Sequence, residues 1–427
     1  MRFTINIILV LSLGFGVIAC DNEDDQDDEH EPDPRLIWRV DFEGWAASAP
    51  AIGDDGTIYV GSIGKLHAIS PEGEVLWGYN VGGEAAHPPA VAIDGTILIQ
   101  EQDCTVHAVS PSGERLWKTE LTPTEYDIGH NLAPAVTKDG IVYAVSDTLY
   151  AIDLETGDEI WRIDPDLLTD EDVPWSRSSP AVNEDGTIIC AANCGGAGNA
   201  QVFKSSTDGE LIWQLALPNE IDELADTPFT VSSPAIAADG TIVIGAEMRE
   251  GQEGQGIVFA ITPDGEIKWS RWIGNGLVIR SSAVFAADGT VYIGTKASDY
   301  AEAKMYALDP DNGDTIWSYT VAQKTGTPDD IYGPAAVGSD GMIYFGAETS
   351  LYYALNPDGS LAWDFGDNDG EFYGNPGDCS AALVDDVLYY SSFDYDGILL
   401  ALRTTSDGLA DSAWPRFHRD NRNSGAP

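Results

Sequence analysis

Basic residues are scarce in this chain. Only 21 Lys and Arg stand against 71 Asp and Glu in 427 residues, a formal charge of −50. Phosphate binding needs a basic footprint, so nucleic acid is excluded as a partner. Docking to anionic lipid through side-chain charge is excluded on the same ground. The acid surplus reads as solubility, in surroundings salty enough to screen self-repulsion. Stretches patterned as long amphipathic helices are few, and the apolar run Ile5–Ala19 is too short to span a bilayer. Of five cysteines, no two are adjacent.

Glycine, tryptophan and tyrosine are abundant, and they come in a repeat. AIDLETGDEIW, ending at Trp161, has an apolar strand end, an acidic turn and a strand closing on tryptophan. The pattern returns as AISPEGEVLW (Trp77), AVSPSGERLW (Trp117), AITPDGEIKW (Trp269), ALDPDNGDTIW (Trp317) and ALNPDGSLAW (Trp363), with KSSTDGELIW (Trp213) a worn copy. Successive tryptophans lie 40 to 56 residues apart, the period of one four-stranded propeller blade.

One copy is split. RLIWRVDFEG (Arg35–Gly44) has a blade's ending without its earlier strands, while Ser380–Arg403 supplies three strands and no closing tryptophan. The Trp38 strand is therefore predicted beside Leu399–Leu402, closing the ring and leaving no unpaired edges at a gap. The count is eight: an all-β, eight-bladed propeller of four-stranded antiparallel blades. Asp-Gly pairs such as Asp55-Gly56 and Asp239-Gly240 sit between first and second strands, where glycine accepts positive φ. They and the glycine turns before the fourth strands fall on one short, uniform rim. The repeated tryptophans read as staples between blades. Length varies on the opposite rim, so any site belongs there, near the axis.

Residues preceding each inner strand are predicted to ring that mouth: Ser48, His87, Asn131, Ser178, Ser232, Ser281, Tyr332 and Asp378. Arg177 and Arg280 hold equivalent places, with His130 and Trp175 near them. Two arginines converging in an acidic protein suit a carboxylate or another small anion, because the planar guanidinium matches it; pairing with neighbouring acids is the plainer reading. The candidate ligand-binding set is His87, His130, Trp175, Arg177, Arg280, Tyr332 and Asp378. No catalytic combination emerges.

The ends carry other signals. Residues 1–19 read as a secretory signal, and Val17-Ile18-Ala19-Cys20 resembles the bacterial lipoprotein signal, in which the cysteine is lipidated. Residues 20–34 carry nine acidic residues and read as a disordered tether. The propeller is assigned to 35–403. The tail 404–427 contains Arg416, Arg419 and Arg422 and is predicted to pack on the acidic propeller through Trp414 and Phe417. Cys190 and Cys194 suit a short disulfide outside the cytoplasm, with Cys104 and Cys379 paired or left over; four cysteines permit three connectivities.

AIDLETGDEIW and its copies resemble the repeat of the quinoprotein propellers, the family that includes pyrroloquinoline-quinone alcohol dehydrogenases. The WPRFHRDNRNSG tail is similar to a segment of bacterial propellers of this type. The resemblance implies the fold from Arg35 onward. It implies function weakly, since many such propellers bind no quinone. The enzymes pair quinone and calcium with an Asp base and adjacent cysteines, and this chain has no adjacent cysteines. Asp367–Gly370 and Asp394–Gly397 resemble fragments of calcium loops without the full ligand spacing. No cofactor or metal is therefore expected. The reading is a monomeric, lipid-anchored propeller of the bacterial cell envelope, periplasmic or cell-surface, serving as a non-catalytic binding or assembly platform for a protein partner or small anion. The alternatives are a quinone-dependent dehydrogenase and an outer-membrane β-barrel assembly lipoprotein.

Overall fold

The computed structural model describes residues 33–42, 48–83, 87–122, 132–146, 148–163, 178–194, 199–218, 220–221, 224–225, 228–230, 232–250, 253–275, 277–297, 302–321, 330–348, 351–366, 379–392 and 397–427. The regular elements are all β, and eight four-stranded antiparallel units form a propeller ring. The third unit shows the plan: Ala135–Val136 on the axis, then Ile141–Val145, Leu149–Asp153 and Glu159–Arg162 outward. Inner strands are short and buried, while outer strands alternate exposure, as a one-sided sheet edge should.

The ring closes through the split blade. Leu36–Asp41 pairs antiparallel with Ile398–Arg403, with Trp38 opposite Ala401, Arg39 opposite Leu400 and Val40 opposite Leu399. Two further backbone bonds extend the seam, Phe42 N–H to Gly397 O at 2.7 Å and Arg403 N–H to Arg35 O at 2.7 Å. The predicted eight blades and their closure are what the structure contains.

Seven tryptophans join each blade to the next. The indole N–H of Trp38 donates to Pro71 O at 2.8 Å, that of Trp117 to Leu154 O at 2.7 Å and that of Trp269 to Pro310 O at 2.9 Å. Trp77, Trp161, Trp213 and Trp317 repeat the bond. The indole face lies on the glycine of the neighbouring turn. At Gly157 (φ +76°) a Cβ would sit 2.6 Å from the Trp117 ring, so both the conformation and the close approach require glycine. Trp363, at the seam, has the Arg35 guanidinium 5.1 Å from its ring centroid instead of such a turn.

The fifth blade is the tallest. Its strands Ile242–Glu250, Glu253–Ile261 and Ile267–Asn275 each run nine residues, and Pro228–Thr230 adds a fifth strand beside the first of them. Leu277–Val278, on the link to the sixth blade, pairs with Lys296–Ala297. These additions raise one sector of the variable rim.

The expected Cys190–Cys194 bridge does not form. Both residues lie on the extended strand Ile188–Cys194, which sets their Cα atoms about 13 Å apart, beyond the roughly 4–7 Å a disulfide spans. Cys190 is a free, buried thiol, and burial pushes its pKa well up; Cys104 and Cys379 are buried too.

The tail crosses the short-turn mouth of the ring. Trp414 and Phe417 are buried at 1% and 4% exposure, and Arg416 is at 0%.

Candidate functional site

The raised sector of the variable rim gathers a compact polar cluster from three segments. Arg280 comes from the link into the sixth blade, Lys296 from the loop between that blade's middle strands, and Asp330 and Tyr332 from the link into the seventh. The pairing of Leu277–Val278 with Lys296–Ala297 positions the first two. Backbone bonds from Ile331 N–H to Thr295 O (3.1 Å) and Glu348 N–H to Asp330 O (2.9 Å) fix the third segment.

The geometry is a relay beneath an aromatic ring. The Lys296 ammonium donates to the Tyr332 hydroxyl at 2.7 Å, and that hydroxyl donates to Asp330 Oδ2 at 3.2 Å. The other Asp330 oxygen accepts the Ala297 N–H at 2.7 Å. Two cations share the Tyr332 ring: Arg280 lies 5.6 Å and Lys296 5.1 Å from its centroid, within cation–π range. Burial raises the Asp330 pKa against the opposing pull of the Ala297 N–H, Lys296 and Tyr332. The Arg280 Nε is shielded from solvent and meets no hydrogen-bond acceptor among the described residues. A buried donor without an acceptor is costly, and an incoming anion would supply one. As a calcium site the cluster does not fit. Its one carboxylate is already engaged, and two cations crowd the same ring.

The structure thus brings together two of the predicted residues, Arg280 and Tyr332, and adds Lys296 and Asp330. His87 does not open onto the mouth. It is 0% exposed, and its Nδ1 lies 3.3 Å from the Leu132 N–H. Ser48, Ser178, Ser232 and Ser281 are buried too, at 0–1%. Ser48 Oγ accepts the Gly61 N–H at 2.8 Å and Ser232 Oγ the Gly245 N–H at 2.7 Å, so these serines knit the inner wall of the ring. Asn131, His130, Trp175, Arg177, Asp378, Cys20 and the loop Asp367–Gly370 lie outside the described residues, as does most of Asp394–Gly397.

A second polar chain lies on the same rim between the first two blades. Tyr79 Oη is 2.9 Å from His107 Nδ1, and His107 Nε2 is 2.5 Å from Glu101 Oε1. The His107 and Glu101 side chains are only 5% and 8% exposed. Burial first, then Asp103, pushes Glu101 up to about 7, although Lys118 opposes it. Burial, followed by Lys118 and Arg115, lowers His107 to about 4, against Asp103. In mildly acidic solution the proton therefore rests on Glu101, and the contact is a neutral pair. Sequence reading passed over it because Glu101 and His107 sit in a turn and a strand with no motif spacing.

The family model described as outer membrane protein assembly factor BamB, built on a PQQ-type repeat, matches residues 29–161, 102–193 and 146–364. The chain belongs to this BamB-type family. Its curated relatives are matched only in part. It is 27% identical over 250 residues to the tetrathionate hydrolase of Acidithiobacillus ferrooxidans, covering 54% of this chain and 45% of that protein. It is 35% identical over 102 residues to BamB of Escherichia coli, covering 22% of this chain and 24% of that one. The matched segments span under half the length of either relative. Among solved structures, BamB from Moraxella catarrhalis aligns over 87% of this chain and 97% of its own, with a TM-score of 0.60 at 14% identity. A europium-containing methanol dehydrogenase aligns over 86% and 93%, with a TM-score of 0.62 at 12% identity. At such identities these two likenesses concern the fold. BamB-type propellers and quinoprotein dehydrogenases share this ring, and the family points to the bacterial cell envelope.

Proposed function

We propose that this BamB-type propeller is a lipid-anchored platform of the cell envelope that holds a protein partner on its variable rim and performs no chemistry of its own. The match of the BamB family model across residues 29–364 carries the reading. The extreme acidity fits it, since a chain of charge −50 needs a covalent lipid to stay at an anionic membrane. The raised sector around Arg280 and Lys296 offers the partner a cationic spot on an otherwise acidic surface. The test is a pull-down from cross-linked native membranes with the lipid anchor intact. One stoichiometric envelope partner retained by the wild type, and lost from Arg280→Ala/Lys296→Ala, supports the proposal. No partner, with uptake of quinone and calcium and reduction of a dye by an alcohol, would replace it with the dehydrogenase reading.

A second reading is favoured by the two cations over Tyr332: the same spot takes a small anion. Similarity to a tetrathionate hydrolase lends it support. Titration with tetrathionate and with simple dicarboxylates separates the readings, because saturable binding lost in Arg280→Ala points to the small ligand.

A further inference from the structure

The eight inner strands place equivalent amides around the axis, and seven of the eight donate to one short peptide. Ile52, Val91, Val136 and Val182 donate to the carbonyls of Asn421, Arg422, Ser424 and Gly425 at 2.6–2.8 Å. Phe285 and Val337 donate to Trp414 and Pro415 at 2.8 Å, and Leu383 donates to the Asn421 side chain at 3.0 Å. Asn421 returns a bond to Leu383 O at 2.6 Å. In the fifth blade, Trp414 enters the apolar cluster that contains Ala235 and Ile236. The tail therefore winds round the mouth and touches every blade.

Its side chains read a second circle, the carbonyls just before the inner strands. Arg416 donates to Ala381 O at 2.7 Å and Pro50 O at 3.1 Å, and internally to Asp420 O at 2.6 Å and Asn423 Oδ1 at 2.7 Å. Asn423 donates to Ala49 O at 3.1 Å and Pro89 O at 2.9 Å. A His418 ring nitrogen lies 2.9 Å from Pro180 O. Burial lowers the Arg416 pKa to about 9, so it stays charged at neutral pH, a buried cation held largely by neutral oxygens. The ring does not need this peptide to close, because the Trp38 strand completes the last blade upstream of residue 404. At the connection Asp407 is exposed, while Gly408 O accepts the Ser339 N–H at 2.8 Å.

We infer that the short-turn mouth is a peptide-binding site whose ligand is the chain's own C-terminal segment, Gly408–Pro427, a tethered plug that docks on an already closed ring. Recognition rests on the backbone of an extended peptide, the Trp414 anchor and the Arg416 and Asn423 side chains, and the covalent link is dispensable.

The test inserts a protease site between Asp407 and Gly408 and cleaves the folded protein. The released segment stays with the ring through gel filtration, and a labelled synthetic Gly408–Pro427 peptide exchanges into it with 1:1 stoichiometry. The same peptide carrying Arg416→Ala binds about 100-fold more weakly, because several buried acceptors lose their donor together. Equal binding of the variant peptide, or loss of the segment on cleavage with no rebinding, would overturn the inference. Loss of the near-ultraviolet circular dichroism signal on cleavage would overturn it too, since the tail would then belong to the folding core.

Discussion

The two rims of this propeller solve opposite problems with the same strands. On the short-turn rim the Asp-Gly hairpins are close copies, the tryptophans bind the neighbouring turns, and the tail satisfies amides and carbonyls around the axis. On the variable rim the links differ in length, and polar groups gather with demands left over, such as the shielded Nε of Arg280 and the buried contact of Glu101 with His107. Satisfied groups give stability, and incompletely satisfied ones give binding or response. The comparison therefore predicts large stability effects on the first rim and small ones, with other consequences, on the second.

Trp117→Ala should be the most damaging substitution. Its indole N–H bonds to Leu154 O at 2.7 Å and its ring lies on Gly157, so both the bond and the packing between two blades go together. A loss of about 3–5 kcal/mol is expected, read as the midpoint shift in urea unfolding. A loss below 1 kcal/mol would mean that the blades are held without their staples.

Gly425→Ala strikes the tail. Gly425 has φ +61°, and a Cβ there would sit 2.5 Å from His418 Cε1 and 2.9 Å from the Ala135 Cβ. Strain of about 1–3 kcal/mol follows, with faster proteolysis of the tail in the folded protein. An unchanged melt and an intact tail would break the idea that this rim is tightly filled.

How much of this was legible in the sequence differs by rim. Short-turn features repeat, so periodicity exposes them: the tryptophan spacing, the Asp-Gly pairs and the missing strand at Trp38 all announce a closed ring of eight. Trp414 and Phe417 stand out because they are apolar in a polar tail. The variable rim does not repeat, and its contacts join residues far apart in the chain. Lys296 and Asp330 meet across 34 positions, with nothing at either to mark the other. Serines precede the inner strands at equivalent positions in four of the eight blades, which suggests a lined mouth. Burial decides otherwise, and burial is a property of the assembled ring. Cys190 and Cys194 look close in sequence, but an extended strand keeps them apart.

The Glu101–His107 pair tests the second rim through pH. Glu101 is raised in the folded state, so alone it binds an extra proton between its ordinary value and about 7, and stability falls as pH rises through that window. His107 is lowered to about 4, so alone it gives the opposite slope between about 4 and its ordinary value. Together, folded and unfolded chains each hold one proton on the pair across mildly acidic pH, and its contribution is nearly flat. His107→Gln removes the offset. Relative to wild type, the variant should lose stability with rising pH between about 4.5 and 7, by up to about 1.4 kcal/mol per pH unit. Parallel wild-type and variant profiles in urea would show that the two groups do not offset each other in this way.

Arg280→Ala with Lys296→Ala should move stability least and binding most. Among the described residues Arg280 makes a cation–π contact and leaves its Nε without an acceptor, so removing it also removes a penalty. Lys296, partly open to water, loses its bond to Tyr332 and its long pairing at 3.8 Å with the buried Asp330, which keeps the Ala297 N–H and the Tyr332 hydroxyl as donors. The double variant should melt within about 0.5 kcal/mol of wild type and still lose its partner or anion. A loss of several kcal/mol would place this cluster with the staples, as structure, and the contrast between the two rims would fail at its most exposed point.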